Sequence, residues 1–344
     1  MFVTISVVLM AIVAVLAAVS AVALVAKVCG GSFRKFFMKG LWALLLPPAV
    51  MLYGMIVERN IYNVKRLEIT SDKLPASFDG YRVVHISDIH LRSFRTRYNS
   101  LSHAVAQINA LDPDIVLFTG DLVTAEPSEM DSLETILAGL HASDGVYSVL
   151  GNHDYCIYNR WPSDSVRQEA VKEVIRRQEA MGWKMLMNSS VSLVRGADTV
   201  SVAGVENISQ TSYFPSYGDL DSAMSGARGA FKILMSHDPS HWKKATEQYP
   251  DIDLTLSGHT HAMQFTVFGW SPSSFIFDEY MGLYFMDSGR SISSVHRHKV
   301  VQDAANMLYV NIGLGETAIP ARLGGARPEI TLITLRSSGA VSNR

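Results

Sequence analysis

Five short polar clusters in the sequence carry side chains of the kinds that bind divalent metals. They are Asp88-Ile89-His90, Gly120-Asp121, Gly151-Asn152-His153-Asp154, Ser236-His237-Asp238 and Gly258-His259-Thr260-His261. Carboxylate and imidazole groups together suit first-row divalent ions such as Mn, Fe or Zn. A carboxylate such as Asp121 can bridge two ions about 3.5–4 Å apart, as two-metal hydrolytic sites require. The clusters therefore predict a centre that holds two divalent ions.

Each cluster follows a short run of Val, Ile, Leu and Phe that has the length and composition of a buried strand. With one further run, the predicted strands are Tyr81–Ser87, Asp114–Thr119, Gly145–Leu150, Val200–Ala203, Phe231–Met235 and Asp253–Leu256. Ligands bind at the edge where the strands of open α/β sheets end. Any one cluster alone would be an ordinary turn or capping group. Five of them, each after an apolar run, predict loops that meet at one crevice.

The local spacing within the clusters predicts how the side chains point. In Asp-x-His on an extended segment, Asp88 and His90 project to the same side because side chains alternate. The same argument applies to His259 and His261, although these two could reach different ions. Glycines stand before Asp121, Asn152 and His259, where the backbone has to turn sharply and come close to the metals.

Helical stretches alternate with the predicted strands. Apolar residues at helical spacing mark Leu101–Leu111 and Met130–Leu140, and Val166–Met181 is longer, with one charged face. This alternation predicts an α/β domain built in layers.

The first 57 residues contain no Asp or Glu, and their only charges are Lys27, Arg34, Lys35 and Lys39. The stretch from Met1 to Ala26 is uncharged and long enough to cross a bilayer as a helix. A cleaved signal peptide is the alternative, but no basic residue precedes this run and it is longer than such peptides. We therefore expect an uncleaved membrane helix. Division of the chain into an anchor (1–57) and a catalytic domain (58–344) follows.

A second apolar run, Leu41–Val57, is interrupted by Pro47-Pro48. It is either a kinked second span or an interfacial segment, and we favour a transmembrane helical hairpin in the cell membrane. The four basic residues between Lys27 and Gly40 place that connection on the cytoplasmic side. The catalytic domain would then lie on the extracytoplasmic face, although Arg59, Lys65 and Arg66 argue for the opposite orientation.

Charge and cysteine content exclude two classes of protein. Removing the four basic residues of the anchor leaves 26 basic against 32 acidic side chains, a formal charge of about −6, and a nucleic-acid-binding domain would need a basic face. The two cysteines, Cys29 and Cys156, provide neither a disulfide framework nor a zinc-type cysteine pair. Cys29 does not follow the small residues of a lipoprotein cleavage site. Cys156 is expected to be a packed apolar side chain.

The clusters resemble the signature of the calcineurin-like metallophosphoesterase superfamily, which runs Asp-x-His, Gly-Asp, Gly-Asn-His-Asp/Glu, His and Gly-His-x-His. The resemblance covers roughly Leu67 to Leu335, and it implies a four-layer α-β-β-α sandwich and a hydrolase acting on phosphate esters. It also implies roles for the site residues. One metal would be held by Asp88, His90 and His261, the other by Asn152, His237 and His259, and Asp121 would bridge them. His153 would lie over the substrate phosphate and act on the leaving group, with Asp154 orienting it.

Leu74-Pro75, Phe78-Asp79-Gly80 and Gly313-Leu314-Gly315-Glu316 narrow the resemblance to the membrane-associated branch. That branch includes bacterial phosphodiesterases and a UDP-2,3-diacylglucosamine pyrophosphatase. It usually has Gly-Gly-Gln after the last motif, where this chain has Ala262-Met263-Gln264. The larger side chains at 262 and 263 would narrow the room beside the metals. The resemblance therefore leaves the substrate less certain than the metal site.

The expected activity is hydrolysis of a phosphodiester or pyrophosphate by a metal-activated water, on a lipid or nucleotide-lipid near the membrane. Two alternatives are a tethered phosphoesterase acting on a soluble substrate and a catalytically idle metal-binding module. Phe265–Lys299 is a candidate for substrate contacts, because it is rich in aromatic residues and ends in a basic run containing His296, Arg297, His298 and Lys299. In the alternative interpretation, these aromatics pack a hairpin and the basic run is surface. Nothing in the sequence indicates an oligomeric state.

Overall fold

The computed structural model describes residues 2–209, 211–287, 290–293, 300–302 and 306–341. Its amino-terminal part is helical. The helices are α1 (Phe2–Val28), α2 (Phe33–Gly40) and α3 (Leu46–Ile56), with a 3-10 turn (Leu41–Leu45) joining the last two. We call α1 the first apolar arm, and α2, the turn and α3 together the second. A Cβ on Gly40 would lie 2.5 Å from the Val19 side chain, so the two arms pack side by side.

Two stretches of this region, Val3–Val28 and Phe33–Asn60, are long and apolar enough to cross a membrane. Only 6% and 11% of their most apolar windows are buried by protein, so lipid is the solvent their surfaces suit. The second stretch begins earlier than the predicted Leu41, because α2 carries Arg34, Lys35 and Lys39 into the helical arm. Pro47 lies in the first turn of α3, where its missing N–H removes no helical hydrogen bond.

Two sheets of seven strands each form the rest of the described chain. The first sheet is mostly parallel, and its strands run in the order β12 (Val300–Gln302), β1 (Asn63–Ser71), β14 (Glu329–Ser337), β2 (Tyr81–Ile86), β3 (Ile115–Phe118), β4 (Val146–Ser148) and β5 (Lys184–Met185). The second runs in the order β11 (Arg290–Ser293), β10 (Gly282–Asp287), β13 (Met307–Val310), β9 (Leu254–Ser257), β8 (Phe231–Met235), β7 (Asp198–Gly204) and β6 (Ser189–Arg195). β2, β3 and β4 pair in parallel, as do β7, β8 and β9.

Helices cover the outer face of each sheet. They are α4 (Tyr98–Asn109), α5 (Glu134–Leu137), α6 (Asp164–Ala180), α7 (Leu220–Ser225), α8 (Trp242–Gln248) and α9 (Ser338–Val341), the last following β14. One apolar cluster fills the space between the sheets and draws on both, for example Val83 and Leu117 from the first and Val202 and Leu256 from the second. The four-layer α-β-β-α arrangement is confirmed. The predicted helix Met130–Leu140 is shorter, because only Glu134–Leu137 is α-helical, after the 3-10 turn Pro127–Met130.

Candidate active site

The polar clusters lie in loops at the carboxyl ends of five strands, two of them from the second sheet. The loops after β2, β3 and β4 come from neighbouring strands of the first sheet. Those after β8 and β9 come from neighbouring strands of the second. Since all five strands end at the same edge of the sandwich, the seven predicted ligands meet between the two sheets. They are Asp88, His90, Asp121, Asn152, His237, His259 and His261, and all but His259 are fully or almost fully buried.

The backbone that carries these side chains is not extended, contrary to the sequence argument for Asp-x-His. Asp88 and His90 have φ of 49° and 45°, and His259 and His261 have φ of 71° and 51°. These left-handed conformations are uncommon for residues other than glycine. The loops turn sharply at these four ligands, which brings Asp88 and His90 together but sends His259 and His261 to different neighbours.

Two glycines allow the loops to touch. A Cβ at Gly151 would lie 2.2 Å from Asp121 Oδ1, and one at Gly258 would lie 2.2 Å from Asp88 Oδ2. No side chain fits at such distances. These glycines therefore allow close approach of one loop to another, and the approach of their backbone to the metals stays a prediction.

One group of donor atoms consists of Asp88, His90 and His261. His261 Nε2 lies 3.2 Å from Asp88 Oδ1 and 3.0 Å from His90 Nε2. His90 Nε2 also lies 3.6 Å from Asp121 Oδ2. The ligand atoms of Asp88, His90 and His261 all lie within 4.8 Å of one another.

A second group shares Asp121 with the first. His237 Nε2 lies 3.2 Å from both Asp121 Oδ2 and Asn152 Oδ1. His259 Nδ1 lies 2.8 Å from Asn152 Oδ1 and 3.3 Å from His237 Nε2. His237 Nδ1 is bonded to the carbonyl oxygen of Thr119 at 2.7 Å, which fixes the ring and leaves Nε2 free as a ligand atom.

The donor set fits a pair of divalent cations. Ligands about 2.0–2.2 Å from one ion lie about 3.0–3.5 Å from each other, close to the spacings in both groups. The nitrogens of His90 and His261 face each other, and His261 Nδ1 is buried with no hydrogen-bond partner among the described residues. A cation between such groups would satisfy lone pairs that the protein leaves facing each other.

Burial controls the protonation of the imidazoles. It lowers the pKa of His90 and of His261 well below the usual 6.5, and that of His259 to about 4. These rings are therefore neutral, as metal ligands must be. At His237 burial also lowers the pKa, but the adjacent Asp121 carboxylate outweighs it and raises the pKa to about 10.

The pKa values of the Asp88 and Asp121 carboxyl groups are shifted in opposite directions. Burial raises the pKa of Asp88 to about 7, and the Asp121 charge adds to that effect. Burial also acts to raise the pKa of Asp121, but His237 and His153 outweigh it and hold that pKa well below its usual range. Asp121 is thus the carboxylate that stays ionised at the junction of the two groups.

His153 lies beside the two groups, where it closes one side of the cleft. Its Nδ1 is bonded to the Thr124 carbonyl oxygen at 2.6 Å, and its ring stacks on Tyr158 at 4.0 Å between centroids. Its backbone N–H donates to Asp121 Oδ1 at 2.8 Å. The ring is therefore positioned with Nε2 left for another partner.

Among the described residues, Asp154 hydrogen-bonds to backbone N–H groups and not to the His153 ring, so its predicted part in orienting His153 stays a prediction. Its Oδ2 accepts the backbone N–H groups of Asp121 at 2.7 Å and Gly151 at 3.0 Å, and its Oδ1 accepts that of Val123 at 3.0 Å. A buried carboxylate satisfies three backbone donors here. Asp154 thereby links the second cluster to the third. The group that accepts the hydrogen bond from the His153 ring is the carbonyl oxygen of Thr124.

Aromatic side chains border the cleft and were not predicted individually as site residues, except for Phe277 in the aromatic stretch. Tyr158 Oη lies 3.1 Å from Asn152 Nδ2, and the rings of Phe214 and Phe277 approach His259 edge-on at 5.4 and 5.5 Å. Tyr158 stands four residues after Asp154 in the same loop, so proximity to the motif could have suggested it. Phe214 lies in the connection between β7 and α7, which carries no such signal. Ala262 is buried and Met263 is 47% exposed, so Met263 points to the surface.

The profile of calcineurin-like phosphoesterases matches residues 81–263, which contain all of the donor atoms described above. The chain belongs to the calcineurin-like phosphoesterase family. Members of this family use divalent metals and hydrolyse phosphoester bonds, and the two groups of donor atoms in this chain could bind metals.

Several relatives of this phosphoesterase resemble it over most of its length. A transmembrane protein with metallophosphoesterase domain from Danio rerio is 32% identical over 90% of the chain, which spans 65% of that protein. The uncharacterized metallophosphoesterase YkuE of Bacillus subtilis is 29% identical over 89% of the chain and 98% of its own length. The UDP-2,3-diacylglucosamine pyrophosphatase LpxG of Chlamydia trachomatis is 25% identical over 79% of the chain and 89% of its own length.

Proposed function

We propose that this phosphoesterase hydrolyses a phosphodiester or pyrophosphate bond in a lipid or nucleotide-lipid, using two divalent ions. One ion would be held by Asp88, His90 and His261 and the other by Asn152, His237 and His259, with Asp121 between them. The observation that carries the proposal is the contact of Asp121 Oδ2 with both groups, 3.6 Å from His90 Nε2 and 3.2 Å from His237 Nε2.

Two divalent ions in this arrangement would neutralise phosphate oxygens and activate a water for attack on phosphorus. The protein's own contribution is at the leaving group. With Nδ1 donating to Thr124, His153 can present an Nε2 proton to the departing oxygen. The Thr124 carbonyl fixes the orientation of the ring, and stacking on Tyr158 holds its plane.

Three observations support a substrate that resides in the membrane. The chain begins with two apolar arms, and residues 1–57 form the proposed anchor, with the catalytic domain in 58–344. The rings of Phe214 and Phe277 border the metal groups and suit an apolar substrate portion. The relative LpxG is described as acting on UDP-2,3-diacylglucosamine, a nucleotide-linked lipid. The basic connection between the arms favours the extracytoplasmic face for the domain.

The basic run 296–299 lies outside the described residues, so the argument for a lipid rests on the aromatic part of the predicted substrate segment. Within that part, Tyr284 and Phe285 belong to β10 and pack in the interior, as the alternative interpretation expected. Phe277 is the member that reaches the site.

The test is hydrolysis by the purified full chain in detergent, loaded with Mn. Turnover of bis-p-nitrophenyl phosphate separates an enzyme from an idle metal-binding module. UDP-diacylglucosamine, phospholipids and cyclic nucleotides are then compared at equal concentration. A preference for either lipid class supports the proposal. Turnover of cyclic nucleotides alone would refute the lipid part, and no turnover of any ester with the metals bound would refute the whole.

The face of the membrane is tested separately, by adding protease to intact spheroplasts. Cleavage of the catalytic domain under those conditions supports the extracytoplasmic location. Protection until the membrane is opened would reverse it.

A further inference from the structure

Residues 263–277, here called the aromatic segment, form an uncharged stretch of 15 residues on the surface. Six large apolar side chains within it are exposed, among them Phe268 at 100%, Phe275 at 81%, Ile276 at 67% and Trp270 at 45%. Such exposure is costly in water, and contiguous apolar surface marks a site of contact with another phase or molecule.

The exposure is concentrated in this segment. Among the residues that the structure describes after the anchor, every exposed Phe, Trp and Met lies in the aromatic segment. Elsewhere in that part, exposed Val166 and Val194 stand singly, and the exposed Tyr158 and Tyr213 form a separate pair beside the site, 6.4 Å apart between ring centroids. The aromatic segment is therefore more apolar than the rest of the surface of the domain, where single exposed apolar residues are normal.

A tight turn presents the most exposed ring. Val267 and Trp270 exchange backbone hydrogen bonds of 2.8 and 3.0 Å, and the turn between them is Phe268-Gly269. Phe268 has a φ of +50°, a conformation seldom adopted by a bulky residue. Trp270 packs edge-on against Phe275 at 5.8 Å between ring centroids. The aromatic side chains thus project from a hydrogen-bonded frame.

The frame is attached to the loop 322–325, which contacts the membrane anchor, and Leu323 provides one of these links. Leu323 accepts a hydrogen bond from Thr266 N–H at 3.1 Å and donates to the Gln264 carbonyl at 2.9 Å. The side chain of Leu323 lies against Gly54 in α3, where a Cβ would come within 2.3 Å of it. Leu323 therefore lies between the aromatic segment and the carboxyl-terminal turns of α3.

The two residues that directly follow the anchor make polar contacts with the same part of the domain. Glu58 accepts the backbone N–H groups of Gly324 at 3.1 Å and Gly325 at 2.7 Å. Arg59 pairs with Glu316 at 3.1 Å and donates to the Pro320 carbonyl at 2.8 Å. The domain is thus held in one orientation at the point where the chain leaves the apolar arm.

We propose that the aromatic segment is a second membrane contact, which inserts Phe268, Trp270, Phe275 and Ile276 into the headgroup region of the bilayer that the anchor spans. Aromatic side chains concentrate at that depth, and an uncharged apolar surface gains free energy there. Continuity with α3 through Leu323 is the reason for choosing a bilayer rather than a protein partner. The inference rests on the proposed anchor but not on the proposed reaction.

The contact would hold the mouth of the site against lipid. The aromatic segment begins two residues after His261 and ends at Phe277, whose ring touches His259. A substrate with acyl chains could then reach the metals without leaving the bilayer.

The test uses fluorescent labels on single cysteines in the full chain, with Cys29 replaced by Ser. Cys156 is fully buried and is left in place. Phe268→Cys and Phe275→Cys report on the aromatic segment. Val194→Cys is the control, since it is 64% exposed on β6, the edge strand of the second sheet. Each protein is reconstituted into vesicles of phosphatidylcholine and phosphatidylglycerol, with or without bromine on the acyl chains.

The expected result is that brominated lipid quenches the labels at 268 and 275 several-fold more than the label at 194. Equal and weak quenching at all three positions would overturn the proposal. So would labels at 268 and 275 that are shielded from aqueous iodide but not quenched by brominated lipid, because a protein surface, such as a second copy of the chain, would then cover them. Neither outcome depends on turnover, so the proposed function is tested separately.

Discussion

Replacing Gly258 by alanine tests whether Asp88 is a metal ligand, because the added methyl group would displace the Asp88 carboxylate without changing its chemistry. Gly258 lies between β9 and His259, and its φ is not in the left-handed region, so the backbone itself accepts an alanine. The added Cβ would lie 1.9 Å from Ser87 Oγ and 2.2 Å from Asp88 Oδ2. The Ser87 hydroxyl can rotate away, but the Asp88 carboxylate is held by the backbone N–H of His259, at 3.0 Å from Oδ2.

The size of the effect follows from these distances. Ordinary contact of a Cβ begins at 3.4 Å, so Asp88 Oδ2 has to move by about 1.2 Å. Metal–ligand distances tolerate about 0.2 Å. We therefore expect Gly258→Ala to lower the affinity for the ion at Asp88, His90 and His261 by at least the roughly 10–100-fold that follows loss of a supporting contact. The crowding should also cost about 1–3 kcal/mol of unfolding free energy.

The assay is the metal content of the purified, Mn-loaded protein by mass spectrometry, together with its thermal midpoint. The wild type should retain two ions per chain and Gly258→Ala about one, with turnover of bis-p-nitrophenyl phosphate lost in parallel. Gly139→Ala is the control, because Gly139 is exposed at the end of α5 and its nearest contact is the Ile136 carbonyl at 3.1 Å. It should retain both ions.

A folded Gly258→Ala protein with two ions and wild-type turnover would refute the reasoning. Asp88 would then be either mobile or not a ligand. Should the variant fail to fold, Asp88→Asn provides the same comparison without crowding, since it removes the charge and keeps the shape.

Other predictions concern catalysis, docking of the anchor and acid stability. His153→Ala should keep both ions while turnover falls about 10²–10⁴-fold, and a loss of metal from this variant would contradict its assigned role. Glu58→Gln should lower the thermal midpoint in detergent, because a charge-assisted contact with Gly324 and Gly325 worth about 1–3 kcal/mol is weakened; an unchanged midpoint would show that the anchor is held by its apolar contacts. His241→Gln should reduce the loss of stability in acid. Burial lowers the His241 pKa to about 4, so between pH 6.5 and 4 the unfolded chain binds a proton at this residue and the folded chain does not. The unfolding free energy of the wild type therefore falls over that range. Equal losses in both proteins between pH 7 and 5, measured by denaturant unfolding, would exclude that effect.

The sequence predicted the polar clusters that the structure brings together and the strands that carry them. Apolar runs that end in polar clusters are a local signal. They located the strand Phe231–Met235 without error and the other five predicted strands to within a few residues. Parallel strands end at one edge, so convergence of the loops followed from topology alone.

Conformation within the loops could not be predicted in the same way. The alternation argument assumed extended backbone at Asp88 and His90, but both have positive φ. Such conformations depend on contacts with other loops rather than on the residue's own neighbours. Asp154 illustrates the same limit, because two of its three backbone partners, Asp121 and Val123, are more than 30 positions away in the sequence.

The left-handed conformations at the ligands carry a cost that the ligands themselves help to offset. Each costs of order 1–3 kcal/mol and persists only where surrounding contacts enforce it. Here the enforcing contacts come from neighbouring clusters: Asp88 accepts the N–H of His259, and Asp121 accepts that of His153. The first cluster thus fixes the fifth, and the second fixes the third. A substitution at either aspartate therefore removes a metal ligand and releases a strained loop together, so its effect on metal content will exceed that of losing one ligand at a site already formed.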